Sequence, residues 1–196
     1  MTTAPTLFGT TTPAAPAAAG PRPLVVGADL SLRSTGLGSA DWTDNVRTKA
    51  MTGHPRLAFL MQEIGSFLKS ADLVVLEGPS YGHAGQGGHE ELAGLRVMVR
   101  HWLWRREIPY AVVPPSTLKL FFAGHGGASK ATMRAAAEQH YGRTFEGPAA
   151  ADECDAFALA AAGYAWLGFP LAEIPERHTA ALAGCQWPDR EAVNAR

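Results

Sequence analysis

Hydrophobic residues along the chain fall into short continuous runs and into longer periodic stretches, a pattern typical of alternating strands and helices. Residues 24–30 and 72–78 are apolar runs that each end near a carboxylate, and we predict a buried strand for each. Two further strands are predicted at 35–42 and 45–51, with the turn between them at 43–45. A last short strand is predicted at 110–113, where two prolines follow it.

Apolar residues at helical spacing predict five helices between and after these strands. Serines precede two of them as candidate N-terminal caps, Ser116 and Ser129, and glycines end two of them, Gly142 and Gly168. Because an initial hairpin is followed by alternating helices and strands, the order predicts an α/β fold with a sheet of mixed direction. The predicted helices span 55–69, 90–106, 116–122, 129–142 and 150–167.

The two ends of the chain lack this pattern. Residues 1–23 are rich in Thr, Ala and Pro and contain no charge before Arg22, so we predict a disordered leader rather than a signal peptide or a membrane span. Residues 169–196 show weak periodicity, and we expect this tail to wrap the domain or to be partly mobile. The single predicted domain therefore spans 24–168.

The composition is that of a soluble globular protein, with 46% hydrophobic and 18% charged residues in a chain of 196. Its formal net charge of −1 argues against attraction of the whole molecule to nucleic acid, so such binding would need a local basic patch. The two cysteines, Cys154 and Cys185, lack metal-site spacing and are typical of reduced thiols. We expect a cytoplasmic protein with no membrane partner.

Four acidic residues stand at the ends of predicted elements. Asp29 and Glu77 each end a strand, and ligands of open α/β sheets bind beyond the carboxyl ends of the strands. Asp152 and Asp155 lie three residues apart on one face at the start of the last helix. Taken singly, Asp29 has a simpler explanation as a loop cap, and the aspartate pair as ordinary acids of a first helical turn.

Taken together, four acids that converge would repel one another unless a cation lay between them. Carboxylate oxygens in that number suit Mg²⁺ or Mn²⁺. A two-metal site of this kind drives in-line hydrolysis of phosphodiesters. The combination therefore favours a metal-dependent site over four unrelated acids.

Residues 96–143 carry eight basic and two acidic side chains, a local net charge of +6. Such a segment neutralises phosphates, although a solvated helix face is the alternative for Arg105 and Arg106. Lys119 and Lys130 are better candidates because they flank four residues that include three glycines, and glycine lets the backbone approach a phosphate closely. Arg134 belongs to the same basic segment, and Arg33 follows the first strand as a further candidate phosphate contact.

Four segments resemble the RuvC family of Holliday junction resolvases, within the RNase H-like (retroviral integrase) superfamily. They read GADLSLRSTG at 27–36, VLEG at 75–78, STLKLFFAGHGGASK at 116–130 and DECDAFAL at 152–159. The resemblance implies an RNase H-like fold with a mixed five-stranded sheet flanked by helices. It also implies that Asp29, Glu77, Asp152 and Asp155 are the catalytic and metal-binding acids.

The resemblance further implies a Mg²⁺-dependent endonuclease with two metal ions per site, which Mn²⁺ would replace, and with branched DNA as the substrate. Hydrolysis would leave a 5′-phosphate and a 3′-hydroxyl. Lys119 and Lys130 would hold phosphates near the scissile bond, and Tyr81 would stack at the branch point. A two-fold symmetric junction implies a homodimer, for which the helix at 90–106 is our candidate interface.

The sequence departs from the family pattern in three places. Tyr81 stands one position later than the family's aromatic residue, and both the leader and the tail differ from those of bacterial members. These features are typical of phage-encoded or otherwise divergent members, in a bacterial cell or a phage-infected host. Partnership with a branch-migration motor is therefore not expected.

Three alternatives stay open from the sequence. The same acids would serve a ribonuclease H that acts on RNA–DNA hybrids. The opening segment also resembles the first phosphate loop of the actin and sugar-kinase ATPases, although this chain is too short for their second domain. The third alternative is a non-catalytic protein that binds branched DNA.

Overall fold

The computed structural model describes residues 22–79 and 88–194, so most of the predicted leader and the predicted contact Tyr81 lie outside the described residues. Five strands form one sheet in the order β3-β2-β1-β4-β5. They are β1 (Val25–Asp29), β2 (Ser34–Gly38), β3 (Thr43–Arg47), β4 (Leu73–Glu77) and β5 (Tyr110–Val113).

The sheet has mixed direction, as predicted. Strand β2 pairs antiparallel with both β1 and β3, whereas β4 pairs parallel with both β1 and β5. Strands β1 and β4 run in parallel, with Ala28 opposite Leu76. The last residues of these strands, Asp29 and Glu77, therefore lie side by side at the same edge of the sheet. The five-stranded α/β architecture is therefore confirmed.

The hairpin between β2 and β3 turns earlier than predicted. The amide of Ser39 donates to the carbonyl of Trp42 at 2.9 Å, and Thr43 already pairs with Gly38. The prediction of a turn at 43–45 is wrong because the Ser39 hydroxyl is buried and donates to the Val25 carbonyl at 2.7 Å, which ends β2 at Gly38. Asn45 consequently lies opposite Gly36 within the sheet.

The helices follow the predicted order with small shifts at their ends. Ser129 caps its helix by accepting from the Thr132 amide at 3.1 Å, and Gly142 and Gly168 end helices in the left-handed conformation. The prediction that Ser116 is a cap is wrong, since Pro115 takes the first helical position, which its fixed φ suits. The helices are α1 (Gly53–Leu68), α2 (His89–Arg105), α3 (Pro115–Ala123), α4 (Lys130–Tyr141), α5 (Ala150–Leu167), α6 (Glu176–Ala180) and α7 (Arg190–Asn194), with a 3-10 turn (Ala181–Gly184) between the last two.

Helices cover both faces of the sheet. One buried cluster joins β1 and β4 to α3, α4 and α5, and a second joins the other face to α1 and α2. Helix α5 packs directly on the strands, since a Cβ at Gly27 of β1 would lie only 2.1 Å from the Ala156 carbonyl oxygen. No helix among the described residues has both the length and the apolar character that a membrane crossing needs.

The tail wraps the domain over its described residues. Trp187 stacks on Trp166 of α5 with ring centroids 4.9 Å apart, and its indole nitrogen donates to the Leu182 carbonyl at 3.0 Å. Gln186 forms an antiparallel bridge with Val112, which covers part of the edge strand β5.

Candidate active site

Two acidic residues meet where β1 and β4 end. Asp29 and Glu77 are both half-buried, and their side chains share a hydrogen bond. A hydrogen bond between two carboxyl groups requires a proton on one of them. The pair therefore occupies the sheet edge at which the sequence analysis placed a ligand site.

Helix α5 brings the second pair of acids to the same place. It lies against β2 with no space between the backbones, since a Cβ at Gly36 would stand 2.0 Å from the Asp152 carbonyl oxygen. Asp155 lies one turn further along the helix. Burial raises the pKa of Asp29 most, and the charges of both Asp155 and Asp152 raise it further. The structure thus brings all four predicted acids into one cluster.

A hydrogen-bond chain from the hairpin holds Asp152. The Ser34 hydroxyl donates to Asp152 Oδ2 at 2.5 Å. The side-chain nitrogen of Asn45, Nδ2, donates in turn to Ser34 Oγ at 2.8 Å and to the Thr35 carbonyl at 3.2 Å. Ser34 and Asn45 are not among the site residues that the sequence predicts. The predicted turn placed Asn45 at the tip of the hairpin, whereas the observed register pairs it with Gly36 in the middle of β3.

Burial raises the pKa values of Asp29, Glu77 and Asp155, and neighbouring acids raise those of Asp29 and Asp155 further. Burial first, and then the charges of Glu77, Asp155 and Asp152, raise the pKa of Asp29 well above its usual value. Burial also raises the pKa of Asp155 to about 6, with a further contribution from Glu77. The pKa of Glu77 is raised by burial even though the Asp29 hydrogen bond and nearby cations lower it. The cluster therefore concentrates more negative charge than this partly buried edge stabilises by itself.

The two predicted lysines face this cluster from α3 and α4. The positive charges of Lys119 and Lys130 lower the pKa of both Glu77 and Asp155. Lys119 is half-buried, whereas Lys130 is exposed at the first position of its helix. Both cations are therefore close enough to the acids to attract an anion bound there.

The two predicted arginines lie on either side of the cluster. Arg134 of α4 is exposed, and its charge partly offsets the burial that raises the pKa of the Cys154 thiol to about 12. Arg33 is exposed in the loop that joins β1 to β2, directly before Ser34.

Arg96 is a cation that the sequence analysis counted only as part of a basic segment. Its positive charge lowers the pKa of Glu77 more than the charge of Lys119 or Lys130 does, and both Arg96 and Glu77 line a cavity of about 170 Å³ between β4 and α2. Its Nε atom is buried, and within residues 22–79 and 88–194 it has no hydrogen-bond partner. In the sequence, Arg96 directly follows the buried Leu95 on α2. Its position beside Glu77 of β4 depends on how α2 packs on the sheet, which the sequence does not show.

The donor set fits a hard divalent cation in its chemistry. Four carboxylates supply the oxygen ligands that Mg²⁺ and Mn²⁺ prefer, and their mutual repulsion is what a cation would relieve. Across residues 22–79 and 88–194, however, no three acidic, histidine or cysteine side chains stand in a preformed metal-binding arrangement. Binding of a cation would therefore draw these side chains closer together.

Comparison with known proteins gives a match in structure alone. No protein-family model matches the sequence, and no curated protein matches it. The structure of RuvC from Thermus thermophilus is similar with a TM-score of 0.58 and 19% identity, over 74% of this chain and 97% of that chain. T. thermophilus RuvC in complex with a Holliday junction substrate is similar with a TM-score of 0.58 and 20% identity, over 75% of this chain and 97% of that chain. The likeness confirms the RuvC-type, RNase H-like fold that the sequence predicts.

Proposed function

We propose that this chain, with its RuvC-type fold, is a metal-dependent endonuclease that cuts branched DNA and resolves four-way junctions. The observation that carries the proposal is the cluster of Asp29, Glu77, Asp152 and Asp155, whose charges act on one another at the edge of the sheet. Structural ion pairs do not explain this cluster, because the interactions between its members are repulsive.

The four acids would hold two Mg²⁺ ions, with Mn²⁺ as a substitute. When bound, the ions supply charge stabilisation and an activated water for in-line hydrolysis, which leaves a 5′-phosphate and a 3′-hydroxyl. Ser34 keeps Asp152 oriented through its hydrogen bond, and Arg96 offsets the charge of Glu77. These neighbours fix the direction and basicity of ligands in the manner of outer-shell groups at metal sites.

Lys119 and Lys130 would bind the phosphates on either side of the scissile bond. Both lie close enough to the acid cluster to change its pKa values, and a positive charge there compensates an approaching phosphate. Arg134 extends the same cationic side along α4. Tyr81 stays a proposed stacking residue at the branch point.

Branched DNA is the proposed substrate because a RuvC of the same fold has a structure in complex with a Holliday junction. A two-fold symmetric junction suits a homodimer, and α2 offers a surface for it. Val97, His101 and Trp104 lie at helical spacing on one exposed face, where Trp104 is 66% and Val97 57% exposed. Replacing Trp104 with glutamate should lower the mass of the assembly in sedimentation experiments.

Cleavage of synthetic substrates tests the proposal. Wild-type protein and the Asp29→Asn variant are incubated with Mg²⁺ and four-way, three-way, flap and RNA–DNA hybrid substrates. We expect wild type to cut four-way junctions best and Asp29→Asn to lose at least about a hundredfold of that rate, because the amide removes an anionic ligand.

Asp41→Asn is the matched control, since the Asp41 side chain is 84% exposed and forms a surface ion pair with Arg22. It should cut at the wild-type rate. Equal cleavage by Asp29→Asn and Asp41→Asn would refute the site assignment. Preferred cleavage of the hybrid would replace the proposed substrate with that of a ribonuclease H.

A further inference from the structure

A second basic cleft lies on the hairpin side of the acid cluster, away from Lys119 and Lys130. It has a volume of about 490 Å³ and runs between the end of β3 and the start of α1. All four charged residues that line it are basic: Arg33, Arg47, Lys49 and Arg56. The uncharged lining consists of Ser34, Ala50, Met51 and Thr52.

Among the described residues, three of these cations lack an acidic partner. Arg56 is paired with Glu91 of α2 and is only 13% exposed, so it forms part of the cleft floor. Arg33, Arg47 and Lys49 are exposed, and within the described part of the chain none of them forms an ion pair. Three solvated positive charges on one concave surface constitute a field that attracts anions.

The local backbone directs these side chains into the cleft. Lys49 adopts a positive φ of 50°, a left-handed conformation that is uncommon for a residue with a side chain and that turns the chain from β3 towards α1. The Arg47 Nε atom donates to Asn45 Oδ1 at 3.0 Å, which limits the freedom of the arginine. The cleft is therefore built from oriented residues rather than from a random set of surface cations.

The cleft is joined to the acid cluster. Ser34 lines the cleft and also donates to Asp152, while Asn45 links Ser34 to Arg47. A chain of four hydrogen-bonded side chains thus runs from the cleft to an acid of the candidate active site. A ligand phosphate in the cleft would lie on the same surface as one bound at the acids.

We propose that this cleft binds backbone phosphates of a DNA duplex arm that leads away from the cleavage site. The inference rests on the proposed function, because the cleft adjoins the acid cluster through Ser34 and DNA bound at the acids would continue into it. Arg33, Arg47 and Lys49 bind the phosphates, and Arg56 with Glu91 supports them from below. A neighbouring cleft that shares Arg33 and Arg56 also contains Glu90 and Glu91, so the arm follows the β3 side.

Salt dependence of DNA binding tests the cleft. Binding of a synthetic four-way junction in EDTA is measured by fluorescence anisotropy over a range of salt concentrations. The double variant Arg47→Gln/Lys49→Gln should reduce the slope of log K against log salt by about 2, because each lost phosphate contact removes roughly 0.9. The charge-preserving variant Arg47→Lys/Lys49→Arg should restore most of the slope.

The matched control is Arg22→Gln/Lys69→Gln, which removes the same charge at the opposite end of the sheet. Its slope should equal that of wild type. Equal slopes for the cleft variant and this control would overturn the cleft proposal, while junction cleavage by wild type in Mg²⁺ would still support the nuclease. Junction binding that depends on Arg47 and Lys49 without cleavage would instead support the cleft and refute the nuclease.

Discussion

Gly36 of β2 and Asp152 of α5 touch through their backbones. A Cβ built on Gly36 would stand 2.0 Å from the Asp152 carbonyl oxygen and 2.5 Å from its carbonyl carbon. No side chain is compatible with this approach, so glycine at this position sets the distance between helix and sheet. The same contact brings Asp152 within reach of Ser34, two residues earlier on the same face of β2.

Replacing Gly36 with alanine should therefore damage both stability and the site. Because the clash involves backbone atoms, α5 must shift, and we expect a loss of about 3 kcal/mol in the free energy of unfolding. Urea denaturation measures this loss. Gly94→Ala is the control, since a Cβ there meets nothing within 4 Å and alanine favours a helix by about 1 kcal/mol. Equal stability of the two variants would contradict the packing argument.

Removing the Ser34 hydroxyl should weaken metal binding without unfolding the protein. Ser34→Ala leaves Asp152 without its donor, and loss of such an outer-shell partner costs roughly 10–100-fold in metal affinity. Calorimetric titration with Mn²⁺ measures the change. Ser66→Ala is the control, because its hydroxyl donates to the Glu63 carbonyl on the exposed face of α1. Unchanged Mn²⁺ affinity in Ser34→Ala would show that Ser34 does not support the site.

The acid cluster should make stability depend on pH and on divalent metal. The pKa of Asp155 is about 6 in the folded protein against 3.8 ordinarily, so the folded state binds more protons between these values. The free energy of unfolding therefore falls as pH rises through this range, on the order of 1 kcal/mol, and the raised pKa of Asp29 acts in the same direction. A bound cation reverses this loss.

Thermal unfolding with EDTA or Mg²⁺ at pH 5 and pH 8 measures this linkage. Mg²⁺ should raise the Tm of wild type more at pH 8 than at pH 5. Asp29→Asn should raise the Tm in EDTA at pH 8 and reduce the response to Mg²⁺, since it removes one repelling charge and one ligand. A Tm that Mg²⁺ raises equally at both pH values would argue against a cluster that holds protons.

The tail should contribute to stability through Trp187. The Trp187 ring stacks on the Trp166 ring with an interplanar angle of 7°, and the Arg190 guanidinium lies over the Trp166 ring. Trp187→Ala removes this packing from a half-buried position, and we expect a loss of about 2 kcal/mol in the free energy of unfolding. Trp187→Phe can still stack on Trp166, so its loss in the free energy of unfolding should be less than half of the loss in Trp187→Ala. If both variants unfold like wild type, the tail is not part of the cooperative unit.

Much of the fold could be predicted because the signals are local. Apolar runs indicated β1 and β4, helical spacing indicated α1 and α2, and the cap at Ser129 followed from its hydroxyl and position. The hairpin turn was mispredicted because what ends β2 is not local. The Ser39 hydroxyl donates to the Val25 carbonyl and lies 3.2 Å from the hydroxyl of Tyr164. Tyr164 is 125 positions further along the chain.

The chemistry of the candidate site was determined by the sequence itself. It supplied two carboxylates at strand ends, an aspartate pair on one helical face and two lysines around glycines, all of which follow from residue type and spacing. Tertiary structure decided the partners of these groups. Ser34 meets Asp152 across 118 positions, Arg96 reaches Glu77 from another element, and Arg33 joins Arg47 and Lys49 in one cleft. Periodicity reports which face of an element is buried, whereas contacts between distant elements depend on how closely their backbones pack, and here glycines at 27 and 36 set that distance.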